Sequence, residues 1–317
     1  MVDKNTKFGI FFAILANITG GIQPVIANMR PSLIDSYLFA GMTALIQMLL
    51  FIPIYFFENL YRKRKVQTKN NLSDLNVSNK FKLYFGNSKW YLFVIIGLMF
   101  SFVMFLYYSG LRYAGSINGT LALKSTAFFG LLFGALLLKE RVSKLQIIFS
   151  IFLFFGLVIA VTQGNFNLLE LNLGVLMILL CAAIWMFGHS SSRPYLRNGI
   201  TFSSELVLWR NIFTSIILII SYVLIFGIEK FIFLVSIPEH IYSYFVGGLI
   251  YGLNVFFWYQ IIKYLKISIG TILITPQVIV TAFFGSIFLN EPFTIYHVIG
   301  LIIIISSIIV INYDSKK

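Results

Sequence analysis

The sequence predicts an all-α integral membrane protein with ten transmembrane helices, arranged as two inverted five-helix repeats. Three observations support this: the composition, a series of long apolar segments, and an internal repeat. The chain has 317 residues, of which 59% are hydrophobic and only 11% are charged. Soluble domains carry about 25% charged residues. Because the chain has too few charges to cover a water-facing surface, lipid must form part of its solvent.

Ten apolar segments are long enough to cross a bilayer, which takes about 20 helical residues. Unpaired strand edges are not tolerated in lipid, and the ten-residue alternation of a membrane barrel is absent, so the segments are predicted to be helices. The predicted spans are 8–28, 34–57, 90–111, 117–138, 145–163, 172–192, 204–227, 241–262, 268–289 and 294–312.

The distribution of Lys and Arg predicts that both termini lie in the cytosol. In that orientation 19 cations face the cytosol, and three (Arg30, Arg112 and Lys230) face outward. The loop 58–89 carries eight of the cytosolic cations; it is predicted to be a flexible linker near anionic lipid, with a partner-binding loop as the alternative. This pattern accounts for the net charge of +13 without nucleic acid, and we expect a multi-pass protein of the cytoplasmic membrane.

A shift of 151 positions aligns residues 91–141 with 242–292 without gaps. Twelve of the 51 aligned pairs are identical, including Glu140 with Glu291. Apolar composition does not easily align Gly, Thr and Glu, so the repeat is predicted to be real. Five spans are an odd number, so the second half enters the membrane from the opposite side. Inverted repeats of this kind are typical of secondary transporters.

The two predicted repeats are residues 1–163, which include the loop 58–89, and residues 164–317. Several motifs resemble the drug/metabolite transporter superfamily in its ten-helix EamA form, and the resemblance covers nearly the whole chain. These motifs are Lys139-Glu140-Arg141, Asn290-Glu291-Pro292, Ala182-Ala183 before Trp185, Arg193 at the end of the sixth span, and Thr275-Pro276. The resemblance implies a transporter, with export favoured over uptake. The chain departs from the pattern at Ser125, which aligns with Pro276 and follows Lys124.

Lys124 is the first candidate for the binding site, because it lies about two turns into the fourth span. A charge at that depth costs several kcal/mol unless it meets water or a partner. One interpretation is that Lys124 snorkels or caps a carbonyl. The functional interpretation is that it faces a central cavity and holds a carboxylate or phosphate. All eleven Asp and Glu residues lie at helix ends or in loops, so an anionic substrate group would supply the partner.

The other candidates are polar or aromatic residues in the helices expected to line a cavity. Prolines next to Gln23 and Gln277 free backbone carbonyls and can kink a helix. The alternative for the polar residues is hydrogen bonding between helices, and for His189 it is a purely structural role. Trp185 and Tyr108 are chosen from aromatics that also include Tyr107, Tyr251, Trp258 and Tyr259. The predicted substrate-binding residues are Lys124, Gln23, Asn17, Thr120, Trp185, His189, Thr275, Gln277 and Tyr108.

Other charged residues have expected roles of their own. Arg210, in the seventh span, is expected to pair with Glu205 or lipid headgroups, or else to guide substrate into an inward-open cavity. Glu140 and Glu291 are expected to be structural and to accept backbone donors where the next helix starts. The single cysteine, Cys181, is expected to be a small buried hydrophobe.

The predicted function is secondary transport of a small polar metabolite, such as an amino acid or another zwitterionic or anionic compound. The mechanism is predicted to be alternating access, as an exporter or facilitator. The alternative is a proton-coupled multidrug or organic-cation efflux antiporter, which usually needs a buried carboxylate. A channel and a lipid-modifying enzyme fit less well, since neither a filter-like loop nor a reactive cluster is present. The expected partners are the substrate and the bilayer, for a monomer or homodimer, with no cofactor, metal or catalysis.

Overall fold

The computed structural model describes residues 4–67, 90–138, 142–164, 172–198 and 200–314. Within these ranges the chain is helical, and its helices are numbered here in chain order. They are α1 (Lys4–Asn28), α2 (Ser36–Gln67), α3 (Trp90–Ala114), α4 (Ser116–Leu123), α5 (Thr126–Leu138), α6 (Lys144–Val161), α7 (Leu173–Arg197), α8 (Ser203–Phe226), α9 (Ile228–Ser236), α10 (Pro238–Tyr264), α11 (Ile267–Leu273), α12 (Gln277–Phe288) and α13 (Ile295–Asp314).

The predicted membrane spans agree with these helices. In the described residues, nine helical segments are long and apolar enough to cross a membrane, and Ile295–Ile311 is a shorter apolar helix. The protein is therefore a multi-pass membrane protein with an all-helical fold. Part of the loop prediction was wrong, because α2 continues to Gln67; the remainder of that loop, 68–89, lies outside the described residues, as does Glu140.

The fourth and ninth spans are each interrupted near the middle, which the sequence prediction did not anticipate. The fourth consists of α4 and α5, which meet at Lys124 and Ser125. The ninth consists of α11 and α12, which meet at residues 274–276. Both interruptions fall at the same place when the chain is shifted by 151 positions. Broken helices at membrane depth occur where the backbone is buried in protein or lines a cavity.

Local signals explain several helix starts. Ser143 and Gln146 form a reciprocal capping box at α6, and the Asn172 side chain accepts from Gly174 N at α7. Gly115 and Gly227 have φ values of 80° and 88°, which a residue with a side chain rarely adopts. These two glycines let α4 and α9 begin directly after the preceding helix.

The helix α9 was not predicted; the sequence was assigned to an outward-facing loop. It follows Gly227, and only Leu234 of its residues is buried. Ile228, Ile232 and Phe233 are exposed, so a short helix presents apolar side chains beside the end of α8. This position is typical of a helix that lies in the membrane interface.

Helices of the two halves pack against one another throughout the bundle. Helix α1 packs on α10 and α12, and the corresponding helix of the second half, α7, packs on α3 and α5. Likewise α2 packs on α10 while α8 packs on α3, and the pairs α2–α8 and α6–α13 join equivalent helices. The core thus lies between the halves.

Contacts along these pairs also define the two ends of the bundle. Glu58, late in α2, accepts from Ser204 at the start of α8, whereas Tyr37, early in α2, bonds Ser221 late in α8. We call the end near Ser204, which also carries Lys144, Arg197, Lys263 and Lys266, the basic end; the other is the opposite end.

Candidate functional site

A small cavity lies where the two interrupted spans meet. Its volume is about 80 Å³, and because one water needs roughly 10–15 Å³ of such space, it can hold several waters or a compound of a few heavy atoms. Helices from both halves form its walls. The lining residues are Ala16, Gly20, Tyr107, Thr120, Leu123, Lys124, Thr126, Trp185, Met186, His189, Asn254, Val255, Trp258, Ile274 and Gln277.

Lys124 connects one interruption to the other. Its Nζ donates to the carbonyl oxygen of Ile274 at 2.9 Å and to Oε1 of Gln277 at 3.2 Å. The side chain is only 4% exposed. An ammonium group has three N–H donors, so within the described residues two are occupied and the third has no partner. Among the described residues that line the cavity, Lys124 is the only Lys, Arg, Asp or Glu.

The proline of the second interruption leaves a backbone acceptor that the protein satisfies from another helix. Thr275 N bonds Ile272 O at 3.0 Å, but Pro276 has no N–H to offer Leu273 O. Asn17 Nδ2 donates to Leu273 O at 2.6 Å and to Ala13 O at 2.9 Å. Asn17 therefore ties α1 to the interruption in the ninth span.

Gln277 and two threonines hold the interrupted spans to the neighbouring helix α1 and to each other. Gln277 Nε2 donates to Ala16 O at 2.9 Å, and Thr281 Oγ1 donates to Gly21 O at 2.7 Å. Thr120 Oγ1 lies 3.3 Å from Thr281 Oγ1. These contacts fix the amide of Gln277 beside Lys124.

An aromatic cluster forms one wall of the cavity. The Tyr107 ring lies 5.3 Å from that of Trp185 and 5.8 Å from that of Tyr251, between centroids. The His189 ring lies 5.7 Å from that of Trp258. Such separations are typical of favourable aromatic pairs, so the wall is packed and offers flat apolar faces.

Several polar atoms of this cluster have no hydrogen-bond partner in the described part of the chain. Buried polar atoms are normally bonded, and exceptions need an explanation. Some of these exceptions lie at or behind one wall of the cavity, and others lie elsewhere in the bundle. The atoms at or behind the wall are Trp185 Nε1, His189 Nδ1, Trp258 Nε1, Tyr108 Oη, Tyr251 Oη and Tyr259 Oη.

Five of the nine predicted binding residues line the cavity: Lys124, Thr120, Trp185, His189 and Gln277. The other four lie just outside it. Tyr107 Oη donates to Gln23 Oε1, so Gln23 supports a lining residue. Thr275 Oγ1 donates to Thr271 O at 3.0 Å, and Asn17 bonds two carbonyls as above. Tyr108 is fully buried, and its ring packs against Phe39. Substrate binding by any of the nine stays a prediction.

Four polar or aromatic lining residues were absent from the predicted set: Tyr107, Thr126, Asn254 and Trp258. A signal for two of them exists in the repeat, because Tyr107 and Trp258 occupy matching positions at the 151-residue shift. Asn254 aligns with Val103, so the repeat gives no indication of it. It was overlooked among the polar residues of the eighth span.

Glu291 spans the two halves at the opposite end of the bundle. Its Oε1 and Oε2 accept from Ser116 N at 2.7 Å and Ile117 N at 2.8 Å. A carboxylate at a helix N-terminus satisfies free N–H groups and complements the helix dipole. Glu291 thus accepts backbone donors at a helix start, as expected, but the helix is α4 of the first half rather than the next helix in the chain.

The described residues contain no group of three or more His, Cys, Asp or Glu side chains placed to hold a metal ion. Arg210 does not pair with Glu205; its three guanidinium nitrogens make no hydrogen bond of standard geometry in the described residues, and the Tyr259 hydroxyl lies close enough to interact with them. Cys181 is buried with a free thiol, which confirms the prediction for that residue.

Comparisons with known proteins agree with this architecture. The model of the EamA-like transporter family matches residues 7–162 and again residues 172–313. The uncharacterized transporter YyaM of Bacillus subtilis (strain 168) is 22% identical over 210 residues, 64% of this chain and 67% of that protein. An uncharacterized transporter of Methanothermobacter thermautotrophicus is 22% identical over 238 residues, 71% of this chain and 66% of that protein.

This chain therefore spans about two thirds of the length of these two relatives. A protein of known crystal structure superposes with a TM-score of 0.64 over 99% of this chain and 98% of its own, at 15% sequence identity. At that identity the likeness shows the fold alone.

Proposed function

The chain belongs to the EamA-like transporter family, and from that premise we propose that it carries a small anionic or zwitterionic metabolite, such as an amino acid, across the cytoplasmic membrane. It acts as a secondary transporter by alternating access between two inverted halves, as an exporter or facilitator. Both termini, and with them the basic end, face the cytosol, as the excess of Lys and Arg there favours.

The single observation that carries the proposal is the environment of Lys124. Placing a lysine at the centre of a membrane helix costs ~2.5–3.5 kcal/mol on insertion scales. Its partners are a carbonyl and an amide, which are neutral and leave the charge uncompensated. A carboxylate or phosphate of the transported compound would neutralise that charge and accept the remaining N–H. Such charge-assisted hydrogen bonds are about twice as strong as neutral ones.

The size of the cavity supports a small compound. A volume of about 80 Å³ accommodates a few heavy atoms, whereas drug-sized ligands occupy pockets of about 300–1,000 Å³. The polar side matches the charged end of an amino acid: Lys124 for the carboxylate, and the Asn254 and Gln277 amides for a polar or amino group. The faces of Trp185 and Trp258 suit its apolar part.

Two features support inverted halves and alternating access. The family model matches two separate segments, one in each half. The interhelical contacts also come in equivalent sets, and both interruptions fall at matching positions of the fourth and ninth spans. In transporters built from inverted repeats, discontinuous helices near the midplane form the binding site, and rocking of one repeat against the other alternates access.

A second candidate is the efflux of organic cations. The aromatic wall of Tyr107, Trp185 and Trp258 favours it, because ring faces attract cations within about 6 Å of their centroids. Lys124 opposes it, since a like charge in the same small cavity repels an organic cation.

The test is exchange in proteoliposomes preloaded with unlabelled compound. Labelled amino acids, sugar phosphates, nucleosides and organic cations are offered with and without a pH gradient, and Lys124→Met is assayed beside the parent. We expect saturable exchange of an anionic or zwitterionic compound, strongly reduced in the variant. Exchange restricted to organic cations and driven by the gradient would overturn the proposal in favour of the second candidate.

A further inference from the structure

Arg210 is a second buried cation, outside the cavity, that the proposed mechanism has not used. It is 1% exposed and is the largest of the fully buried side chains in the described residues. Atoms Nε, Nη1 and Nη2 are all without a hydrogen-bond partner there. Buried charges are normally paired, so a fully buried guanidinium with all of its donors free needs an explanation.

The contacts of Arg210 are with aromatic rings from both halves. Its Cζ lies 4.4 Å from the centroid of Phe100 in α3 and 5.8 Å from that of Tyr251 in α10. Phe100 and Tyr251 occupy matching positions at the 151-residue shift. The guanidinium therefore lies on the boundary between the halves. Cation–π contacts compensate a cation by about 0.5–2 kcal/mol each, yet they leave its N–H donors unused.

The same rings connect Arg210 to the cavity. Phe100 lies 5.8 Å from the cavity-lining His189, and Tyr251 lies 5.8 Å from Tyr107 and 6.2 Å from Trp185. Arg210 is thus separated from the cavity by a single layer of side chains. It lies seven residues after the start of α8 at the basic end, at a depth of about 10 Å.

Hydroxyl donors that suit an anion lie on the neighbouring elements. Thr214, on α8, and Tyr251, on α10, each have a buried hydroxyl that has no hydrogen-bond partner in the described ranges. The guanidinium offers a planar fork of N–H donors that matches a carboxylate or phosphate. A tyrosine hydroxyl contributes one further donor.

We infer that Arg210, with Tyr251, forms a second anion-binding site, which takes the carboxylate or phosphate of the transported compound between the Lys124 cavity and the basic end. The inference rests on the proposed function and extends it. Because the two rings that cover Arg210 belong to different halves, movement of one half against the other separates them and exposes the guanidinium. An anion released from Lys124 then meets a second cation on its way to the basic end.

The test measures anion binding directly, so it does not depend on knowing the substrate. The purified full chain is titrated with acetate, and its thermal unfolding midpoint is compared with that in equal concentrations of acetamide, the neutral analogue. The parent, Lys124→Met, Arg210→Met and the double variant are compared. We expect acetate-specific stabilisation in the parent and in each single variant, and none in the double variant.

Two outcomes would overturn the inference: loss of the entire acetate effect in Lys124→Met, or an effect in the double variant equal to that in Lys124→Met. Loss of the effect in Arg210→Met alone would leave the inference standing and remove Lys124 as an anion site. A parent without any acetate effect would also refute the inference, whereas the exchange panel decides the proposed function.

Two further variants guard against a failure of Arg210→Met to fold. In the Lys124→Met background, Tyr251→Phe keeps the ring and removes only the hydroxyl, and Arg210→Lys keeps the charge and loses the fork. We expect each to raise the half-saturating acetate concentration at least threefold. Unchanged values in both would contradict the assignment.

Discussion

The two interrupted spans have the same architecture but different local causes. At the first interruption, Lys124 N and Ser125 N bond Leu121 O and Ala122 O at 3.0 and 3.1 Å, so the backbone tightens without losing a donor. At the second, the proline removes the equivalent donor, and Asn17 supplies a replacement. The first interruption contributes the charge of Lys124, and the second contributes the Ile274 carbonyl that accepts from it.

The two interrupted spans are therefore alike in backbone but not in side chains. The interruptions themselves occupy matching positions at the 151-residue shift. The side chains at those positions differ, because Lys124 aligns with Thr275. The cavity is therefore asymmetric: the first interruption provides one cation, and the second provides a neutral carbonyl and amide.

The largest predicted effect comes from substitutions at the two aligned positions, Lys124 and Thr275, and it tests the difference between the two interruptions directly. Lys124→Met should lower exchange of the anionic or zwitterionic compound by about 100-fold or more, since loss of a buried charged hydrogen bond costs about 3 kcal/mol or more. Thr275→Val should lower it less than about threefold, because Thr275 bonds only within its own turn. Initial rates of counterflow measure both. Equal losses would mean that the interruptions contribute equally.

A smaller effect is expected at Gly20, which faces the second interruption. A Cβ there would overlap Gln277 Nε2 and lie 2.7 Å from Asn254 Oδ1. Gly20→Ala should therefore displace both amides and lower exchange by roughly tenfold, a loss of about 1.4 kcal/mol. The matched control is Gly285→Ala in α12, where the nearest atom to a Cβ is Ile117 Cγ1 at 3.4 Å. Undiminished exchange in Gly20→Ala would show that the amides do not contact substrate.

A double-mutant cycle tests the role of Asn17 in the second interruption. Asn17→Ala should destabilise the parent by about 1–3 kcal/mol, because Leu273 O loses its donor. In a Pro276→Ala background the same change should cost less, since the alanine introduced there offers the backbone N–H that the proline lacks. The two costs come from thermal or denaturant unfolding in detergent. Additive costs would mean that Asn17 and Pro276 are independent.

The smallest effect is expected from Glu291, which caps α4, the helix before the first interruption. Glu291→Gln keeps one acceptor oxygen for Ser116 N or Ile117 N but removes the charge. It should lower the free energy of unfolding by about 0.5–1.5 kcal/mol. Glu239→Gln, at the start of α10, is the control and should change it by less than about 0.5 kcal/mol. A larger cost for the control would argue against a specific cap at α4.

Much of the fold could be predicted because span length and hydropathy are strong local signals. The interruption of the ninth span was signalled by Pro276, but that of the fourth has no proline and depends on tertiary contacts of Lys124. The continuation of α2 to Gln67 was missed because its polar, basic end resembles a linker. The apolar helix α9 was missed because it is too short to span the membrane and lies in a segment that was assigned to a loop.

The site was predicted in part for a similar reason. Lys124 could be identified because it is a charged residue within an apolar segment, and Gln277 because it is next to a proline. Whether a buried polar residue faces a cavity or a neighbouring carbonyl depends on helix rotation, as Asn17 illustrates. Tyr107 and Tyr108 are adjacent in sequence, yet only Tyr107 lines the cavity, and composition cannot distinguish them.

The close crossing of α6 and α13 has a consequence for how the molecule folds. Gly156 and Gly300 face each other so closely that a Cβ on Gly300 would lie 2.5 Å from Gly156 O, and the other major helix contacts also join one half to the other. Neither half encloses a core of its own. Melting should therefore be a single cooperative transition, and the first five spans made alone should be degraded rather than accumulate as a stable half.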